Sequence, residues 1–447
     1  MRLFGTNGVR GVVGRDMTPE FATRLGRAIG IFFNGCVAIA SDARNSGPMI
    51  KNATASGIMS SGVDVIDLGI TPTPSMQYYV RTHNLSGGVM ITASHNPPEF
   101  NGIKCVGPSG RELTRDDEEK IESLFSEGAE CVRWDSVGAL TYDASATESY
   151  VGAIIARTDV SVIRSAKLTV VMDCANGASF GSAPMLLEKL GVKVITMNTR
   201  VCKIPSHPSE PTEDNLSDLI SKVKETNADL GIAHDGDADR AMFVADDGKF
   251  VGGDKSLSVM AKYILSKKSG IVVTPVSSSS MVDDVVNENG GTVIRTAVGS
   301  PTVARVMLEN DAIFGGEENG GMIFAEHQLC RDGAMAAAKM MECIAKNGPL
   351  SKQLSSLPSY HTEKRKTDCP DAVKEKLLEH LAAVYKDVKT DRTDGLKMIY
   401  GDGWVLARPS GTEPKFRIYS ESKDKDVAVR RANEAEAKAK QFLESFN

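Results

Sequence analysis

Short apolar runs recur along this chain, each leading into a helix-like segment and then into a glycine-led β pattern. Residues 37–40 precede such a segment and Gly62-Val-Asp-Val-Ile66 closes it. Residues 168–172 lead in the same way to Gly191-Val-Lys-Val-Ile195, and residues 271–275 to Gly290-Gly-Thr-Val-Ile294. Short apolar runs alternating with helix-like segments predict βαβ units, here one unit used three times. Each copy ends in a different polar loop: Thr92-Ala93-Ser94-His95-Asn96-Pro97, then Asp235-Gly236-Asp237-Ala238-Asp239-Arg240, then Gly316-Glu317-Glu318-Asn319-Gly320-Gly321. Open α/β units place ligand loops beyond the carboxyl ends of their strands. Three such units facing one cleft would assemble a single site from distant sequence.

Punctuation divides the chain further. A charged helical stretch at residues 115–125 and a polar loop around Asp135 close the first unit near Ala146, and a helix at 147–156 opens the second. The apolar run 240–245 returns through Asp246-Asp247-Gly248-Lys249 as a hairpin. A helix at 255–265 opens the third unit, the apolar helix 333–346 ends it, and Pro349 and Pro358 mark the break. The expected domains are therefore 1–146, 147–250, 251–357 and 358–447. The last reads as a smaller α+β domain, with a helix at 372–384, strands at 396–400 and 405–408, and an Ala/Glu/Lys-rich helix at 426–446.

At 447 residues several domains are expected. The 41% hydrophobic and 25% charged content is that of a soluble globular protein. A net charge of -6 argues against a nucleic-acid binder, whose footprint is a basic excess. The start of the chain has no leader-like apolar region and no uninterrupted apolar stretch reaches membrane-spanning length, so a cytoplasmic protein with no membrane partner is expected. The eight cysteines form no C-x-x-C pair and read as reduced thiols.

The loops carry the chemistry. Asp235, Asp237 and Asp239 follow the apolar residues 230–233, so a strand delivers three carboxylates into one tight loop. Such crowding calls for a cation, and hard oxygen donors suit magnesium. An EF-hand fails here, because its sixth position would be Arg240 instead of Gly and its twelfth Asp246 instead of Glu. Ser94 stands beside His95 and Asn96 without the G-x-S-x-G elbow of a serine hydrolase. Taken alone, Ser-His-Asn-Pro also fits a turn or helix cap. Lys104, on an expected strand, and Arg10, in a Gly-rich segment, are cations that suggest an anion at the hydroxyl. Arg408, Ser410, Gly411, Thr412 and Arg417 combine arginines, hydroxyls and backbone N–H groups as a phosphate nest. Glu317 and Asn319 offer acceptors and donors to sugar hydroxyls, a composition also typical of surface turns.

In this order the four motifs resemble the α-D-phosphohexomutase superfamily, which includes phosphoglucomutases, phosphomannomutases and phosphoglucosamine mutases. The opening Phe4-Gly5-Thr6-Asn7-Gly8-Val9-Arg10-Gly11 is most similar to phosphoglucosamine mutases, with Asn7 where bacterial members usually have Asp. Glu317-Glu318-Asn319-Gly320-Gly321 resembles the archaeal group, with Asn319 for the family's usual Ser and Gly321 for its His. Ala297 replaces a Lys that some mannose and glucose enzymes use to touch ligand. The resemblance implies three similar α/β domains with mixed sheets and a C-terminal α+β domain like the TATA-box-binding protein, around a central cleft. It implies a phosphoserine at Ser94, magnesium held by Asp235, Asp237, Asp239 and a phosphoserine oxygen, and phosphate contacts from Arg10 and Arg240. His95 and Lys104 would assist proton transfer and charge stabilisation. Glu317 and Asn319 would read the sugar, and Arg408, Ser410, Gly411, Thr412 and Arg417 would grip the phosphate that is not reacting. The implied activity interconverts hexose 6- and 1-phosphates through a 1,6-bisphosphate, with glucosamine phosphate the expected substrate and mannose or glucose phosphate the alternative. The expected partner is a small sugar phosphate, for a monomer or homodimer. A phosphatase with Asp235 or Asp237 as nucleophile leaves Ser94 unexplained, and a silent sugar-phosphate sensor needs neither Ser94 nor the three Asp.

Overall fold

The computed structural model describes residues 2–5, 7–410 and 414–445. The chain forms two units: residues up to Ser256 together with Asn319–Ser355, and Leu257–Glu318 together with the residues from Ser356 onward.

The first unit holds two mixed sheets. In one, Val9–Val12, Phe100–Val106, Gly87–Ile91, Val37–Ser41, Val65–Ile70 and Leu140–Tyr142 lie side by side in that order. Val37–Ser41 and Gly87–Ile91 are buried at every position, which is why they read as unbroken apolar runs. Helices Pro19–Phe33 and Gly47–Met59 contribute Leu25, Ile29, Ile50 and Ile58 to one core, and helix Thr73–Thr82 contributes Met76, Tyr79 and Val80 to another. The Thr18 side chain accepts from Phe21 N at the start of Pro19–Phe33, and Pro19 occupies a first-turn position where its missing N–H is harmless. In the second sheet the order is Phe250–Val251, Ala241–Ala245, Leu230–His234, Thr169–Asp173 and Lys193–Met197. The hairpin expected at Asp246 to Lys249 joins Ala241–Ala245 to Phe250–Val251, which pair antiparallel. Met322–Phe324 pairs antiparallel with Gln328–Arg331, which feeds the buried helix Gly333–Asn347.

In the second unit, Thr292–Thr296, Ile271–Pro275 and Phe314–Gly316 run parallel. The C-terminal sheet is antiparallel, in the order His361–Asp368, Lys415–Ser422, Gly403–Pro409, Leu396–Tyr400 and Lys389–Asp391. Leu377, Leu381, Ala435 and Ala439 of helices Lys374–Val384 and Lys425–Glu444 pack with Met398, Val405, Phe416 and Ile418.

The three sequence echoes are the same structural event. Val65-Ile66 pairs with Val37-Ala38, Val194-Ile195 with Val170-Val171, and Val293-Ile294 with Val272-Val273, parallel each time. The glycine leading each echo has positive φ, +86° at Gly62, +83° at Gly191 and +71° at Gly290, where a side chain is strained. The fold is thus three α/β domains and a C-terminal α+β domain. No helix among the described residues is long and apolar enough to cross a membrane.

Candidate active site

Ser94 follows strand Gly87–Ile91 in a turn that the surrounding structure forces into shape. Its φ is +50°, a left-handed conformation that costs a non-glycine residue about 1–3 kcal/mol. Arg44 holds it there. Its Nη2 donates to Ser94 O at 2.8 Å and Asn96 O at 2.7 Å, its Nη1 to Pro97 O at 2.8 Å and Phe100 O at 3.0 Å, and its Nε to Asp42 Oδ2 at 3.1 Å. Asp42 also accepts from Thr92 Oγ1 at 2.7 Å, and Thr92 Oγ1 in turn accepts from Ser94 N at 2.8 Å. The result aims Ser94 Oγ at Asp235, whose Oδ2 accepts from it at 2.8 Å. Gly236 is required by this approach, because a Cβ there would lie 2.4 Å from Ser94 O.

Asp235, Asp237 and Asp239 are buried and can bring one oxygen each to within 4.8 Å of one another. Burial, with Asp239 and Asp237 beside it, pushes the Asp235 carboxyl well above the usual carboxylate range. Against the same burial, Arg331, Lys104 and Arg240 hold Asp239 well below the usual carboxylate range. Asp237 Oδ2 accepts from Thr73 Oγ1 at 2.7 Å and Asp239 Oδ2 from Arg331 Nη2 at 2.5 Å, while the Oδ1 atoms of both accept no hydrogen bond from the described residues. Buried acceptors without donors are expensive. Clustered hard oxygens with such vacancies in their bonding fit a divalent cation of the magnesium type.

Cations surround this pair of loops. Lys104 Nζ lies 3.5 Å from Asp239 Oδ2 and 3.3 Å from Glu112 Oε1, and these carboxylates outweigh burial to raise its pKa, so it is a fixed positive charge. Asn7 Nδ2 donates to the same Glu112 oxygen at 3.0 Å. An Asp at position 7 could not make that bond, which gives the Asn a physical reason. Arg240 Nε is 3.7 Å from Asp235 Oδ2, and Arg10 Nη1 donates to Asn96 Oδ1 at 2.6 Å. His95 Nδ1 is 3.3 Å from Ser94 Oγ. Burial, then Arg240 and Arg10, lower the His95 pKa to about 3, so the imidazole is neutral beside these cations. The sequence-predicted Arg10, Ser94, His95, Lys104, Asp235, Asp237, Asp239 and Arg240 therefore share one neighbourhood, and Arg44, Thr73 and Arg331 join it unannounced.

The sugar-reading loop divides between the units, with Glu317 in the second and Asn319 in the first. Glu317 is buried and its Oε1 accepts from Gly299 N at 3.0 Å. Asn319 Oδ1 accepts from Gly321 N at 3.0 Å, closing a local turn. In the C-terminal domain, Arg408 and Arg417 are direct cross-strand partners, and Lys366 pairs with Arg417 on its other side. A row of three cations on one face of the sheet is suited to a phosphate. Arg408 Nε also donates to Asp394 Oδ2 at 2.7 Å, and that oxygen accepts from Val298 N at 2.9 Å. Ser410 is braced by its N to Lys415 O at 2.9 Å and its O from Lys374 Nζ at 2.6 Å. Gly411 and Thr412 lie outside the described residues.

A strained serine against three buried carboxylates and ringed by fixed cations has the makeup of a phosphoryl-transfer centre, set on repeated α/β domains. Four domain families match in order: phosphoglucomutase/phosphomannomutase α/β/α domain I at residues 1–131, domain II at 148–248, domain III at 252–360 and the C-terminal domain at 366–439. The chain is 43% identical to a phosphoglucomutase/phosphomannomutase of Thermococcus kodakarensis, over 96% of both chains. It is 41% identical to a probable phosphoglucosamine mutase of Methanopyrus kandleri, over 96% of this chain and 95% of that one. The crystal structure of a phosphoglucomutase/phosphomannomutase family protein from Burkholderia thailandensis matches 98% of this chain and 96% of its own, with TM-score 0.87 and 27% identity. The protein belongs to the phosphoglucomutase/phosphomannomutase family.

Proposed function

We propose that the protein is a phosphohexose mutase that interconverts hexose 6-phosphate and hexose 1-phosphate through phospho-Ser94 and a hexose 1,6-bisphosphate. The observation that carries this reading is the placement of Ser94 Oγ, 2.8 Å from a buried Asp235 carboxylate in a turn held left-handed by Arg44. Phospho-Ser94 gives its phosphoryl group to the free hydroxyl of the bound monophosphate, and the bisphosphate then returns its other phosphoryl group to Ser94. Phosphoryl transfer depends on positioning and on spreading charge. Arg10, Arg240 and Lys104 meet the charge of the transferring group; that negative charge offsets the two arginines that depress the His95 pKa and so lets His95 take or return the hydroxyl proton. Glu317 and Asn319 orient the sugar, and Lys366, Arg408, Ser410 and Arg417 grip the second phosphate. Magnesium, held by Asp235, Asp237, Asp239 and an oxygen on Ser94, would neutralise charge on the transferring group.

On this reading residues 1–146 carry the phosphoserine, 147–250 the metal loop, 251–357 the sugar loop and 358–447 the phosphate clamp. A cytoplasmic monomer or homodimer without nucleic-acid or membrane partners belongs to the same proposal. Glucosamine phosphate is the preferred substrate, supported by the segment Asn7 to Arg10, by Ala297 and by the likeness to the Methanopyrus kandleri protein. The likeness to the Thermococcus kodakarensis protein supports the mannose and glucose alternative. A side-by-side kcat/KM comparison of glucosamine, mannose and glucose phosphates decides between them. A mannose or glucose preference of about tenfold, or about 1.4 kcal/mol in transition-state stabilisation, refutes the glucosamine reading and leaves the mutase reading intact.

A further inference from the structure

The two oxygens of Asp239 are in different situations. Oδ2 is taken by Arg331 Nη2, with Lys104 Nζ 3.5 Å away, whereas Oδ1 accepts no hydrogen bond from the described residues and has Arg240 Nε at 3.8 Å as an ion-pair neighbour. Asp237 repeats the pattern with Thr73 on Oδ2 and no hydrogen bond at Oδ1. Each carboxylate has one oxygen occupied by a protein donor and one left over.

Arg331 is built into place. It is 7% exposed and ends strand Gln328–Arg331, next to Asp332, whose Oδ1 accepts from Met335 N at 2.9 Å and whose Oδ2 accepts from Gln328 Nε2 at 2.9 Å. Gly321 makes room for its stem. A Cβ at position 321 would lie 2.3 Å from Arg331 Cδ and 3.0 Å from Cγ, and the Gly321 backbone is not left-handed, so an alanine there collides with Arg331 without backbone strain.

We propose that Arg331 is a positioning residue for the cation: by occupying Asp239 Oδ2 it presents a single oxygen, and so selects a small six-coordinate ion such as magnesium over a larger one such as calcium. Calcium takes six to eight oxygens and readily uses both of a carboxylate, while magnesium demands near-octahedral geometry. Gly321 is the other half of the device. The inference rests on the reading of Asp235, Asp237 and Asp239 as the metal loop. Loss of the guanidinium charge strengthens the binding of either divalent ion, so the ratio of calcium to magnesium affinity isolates the number of oxygens presented.

The test is calorimetric titration of magnesium and of calcium into the full chain, with intact mass showing the same Ser94 phosphorylation state in every variant. Arg331→Met raises the calcium-to-magnesium affinity ratio by about tenfold or more, and Arg331→Lys keeps it within about threefold of wild type. Gly321→Ala, which displaces the Arg331 stem, shifts the ratio in the same direction and adds nothing in an Arg331→Met background. Should Arg331→Met fail to fold, Gly321→Ala carries the test. An unchanged ratio in Gly321→Ala and Arg331→Met, with one divalent ion still bound, overturns the role of Arg331 alone. Wild-type protein that binds no divalent ion, or an Asp237→Asn variant that binds as wild type does, overturns the metal loop itself.

Discussion

Replacing Arg44 by Met tests whether the Ser94 turn is made for the reaction or merely tolerated by it. The guanidinium makes five hydrogen bonds of 2.7 to 3.1 Å, four of them to the carbonyl oxygens of Ser94, Asn96, Pro97 and Phe100 and one to Asp42. Its removal leaves Asp42, 1% exposed, as a buried carboxylate without its cation, a loss of about 3–5 kcal/mol. It also frees Ser94 to relax from a φ of +50°, strain of about 1–3 kcal/mol. If about 2–3 kcal/mol of that change appears in the barrier to transfer, kcat falls roughly 30- to 150-fold. Arg44 spends its donors on the loop's own carbonyls and on Asp42, so KM stays within about threefold. Steady-state isomerisation of hexose phosphate, with saturating 1,6-bisphosphate and with folding checked by near-ultraviolet circular dichroism, gives both constants. Arg44→Lys keeps a charge beside Asp42 but cannot reach four carbonyls at once, and falls between wild type and Arg44→Met. A folded Arg44→Met enzyme with kcat within about threefold of wild type, or a defect confined to KM, refutes the reasoning.

Asn7→Asp sets two carboxylates against each other at Glu112 and lowers the thermal midpoint at pH 7.5, a loss of about 1–3 kcal/mol; adding Glu112→Gln, whose amide can donate to the new Asp, recovers most of it. Arg417→Met weakens hexose phosphate binding by roughly tenfold or more, through loss of a charge-assisted bond of about 1.5–3 kcal/mol. Lys366→Met weakens binding in the same direction, and binding equal to wild type contradicts the cation row. His207 Nε2 pairs with Asp173 Oδ2 at 3.1 Å, which raises the His207 pKa. A raised folded value gives stability that is full below the unfolded value of about 6.5 and is lost as pH rises through the folded one. Thermal midpoints compared between pH 6 and pH 8.5 therefore drop more in wild type than in His207→Gln, and parallel curves contradict this.

The repeated architecture was legible because the buried strands Val37–Ser41, Thr169–Asp173 and Ile271–Pro275 and their glycine turns each follow one steric rule. The C-terminal domain was read only in part. His361–Asp368 is mostly exposed and charged, and in Lys415–Ser422 the buried Phe416 and Ile418 alternate with Lys415, Arg417 and Tyr419 ahead of the polar Ser420-Glu421-Ser422, so neither strand stands out as an apolar run. Helix Ala146–Ile155 starts one residue ahead of the expected 147–156, and the final helix ends at Glu444 in place of 446. Ser94 and the three Asp were visible because each lies in a compact motif. Arg44, Thr73, Arg331 and Lys366 were not, because none lies in a compact motif and each meets residues far away in the sequence. Asp42-Ala43-Arg44 directly after strand Val37–Ser41 was the one local signal available, a charged pair at the end of a buried strand. Arg408 was expected to grip phosphate, and its bond to Asp394 depends on a loop that sequence spacing does not bring near.

The central claim is that Ser94 carries the phosphoryl group between the two ends of the sugar. Peptide mass spectrometry after incubation with hexose 1,6-bisphosphate, run on wild type and Ser94→Ala alongside an isomerisation assay, tests it most directly. The account predicts one added phosphate, on Ser94, in the wild type, and neither phosphate nor isomerisation in Ser94→Ala, which still binds sugar phosphate. A phosphate mapped to Asp235 or Ser410, or isomerisation that persists in Ser94→Ala, contradicts it.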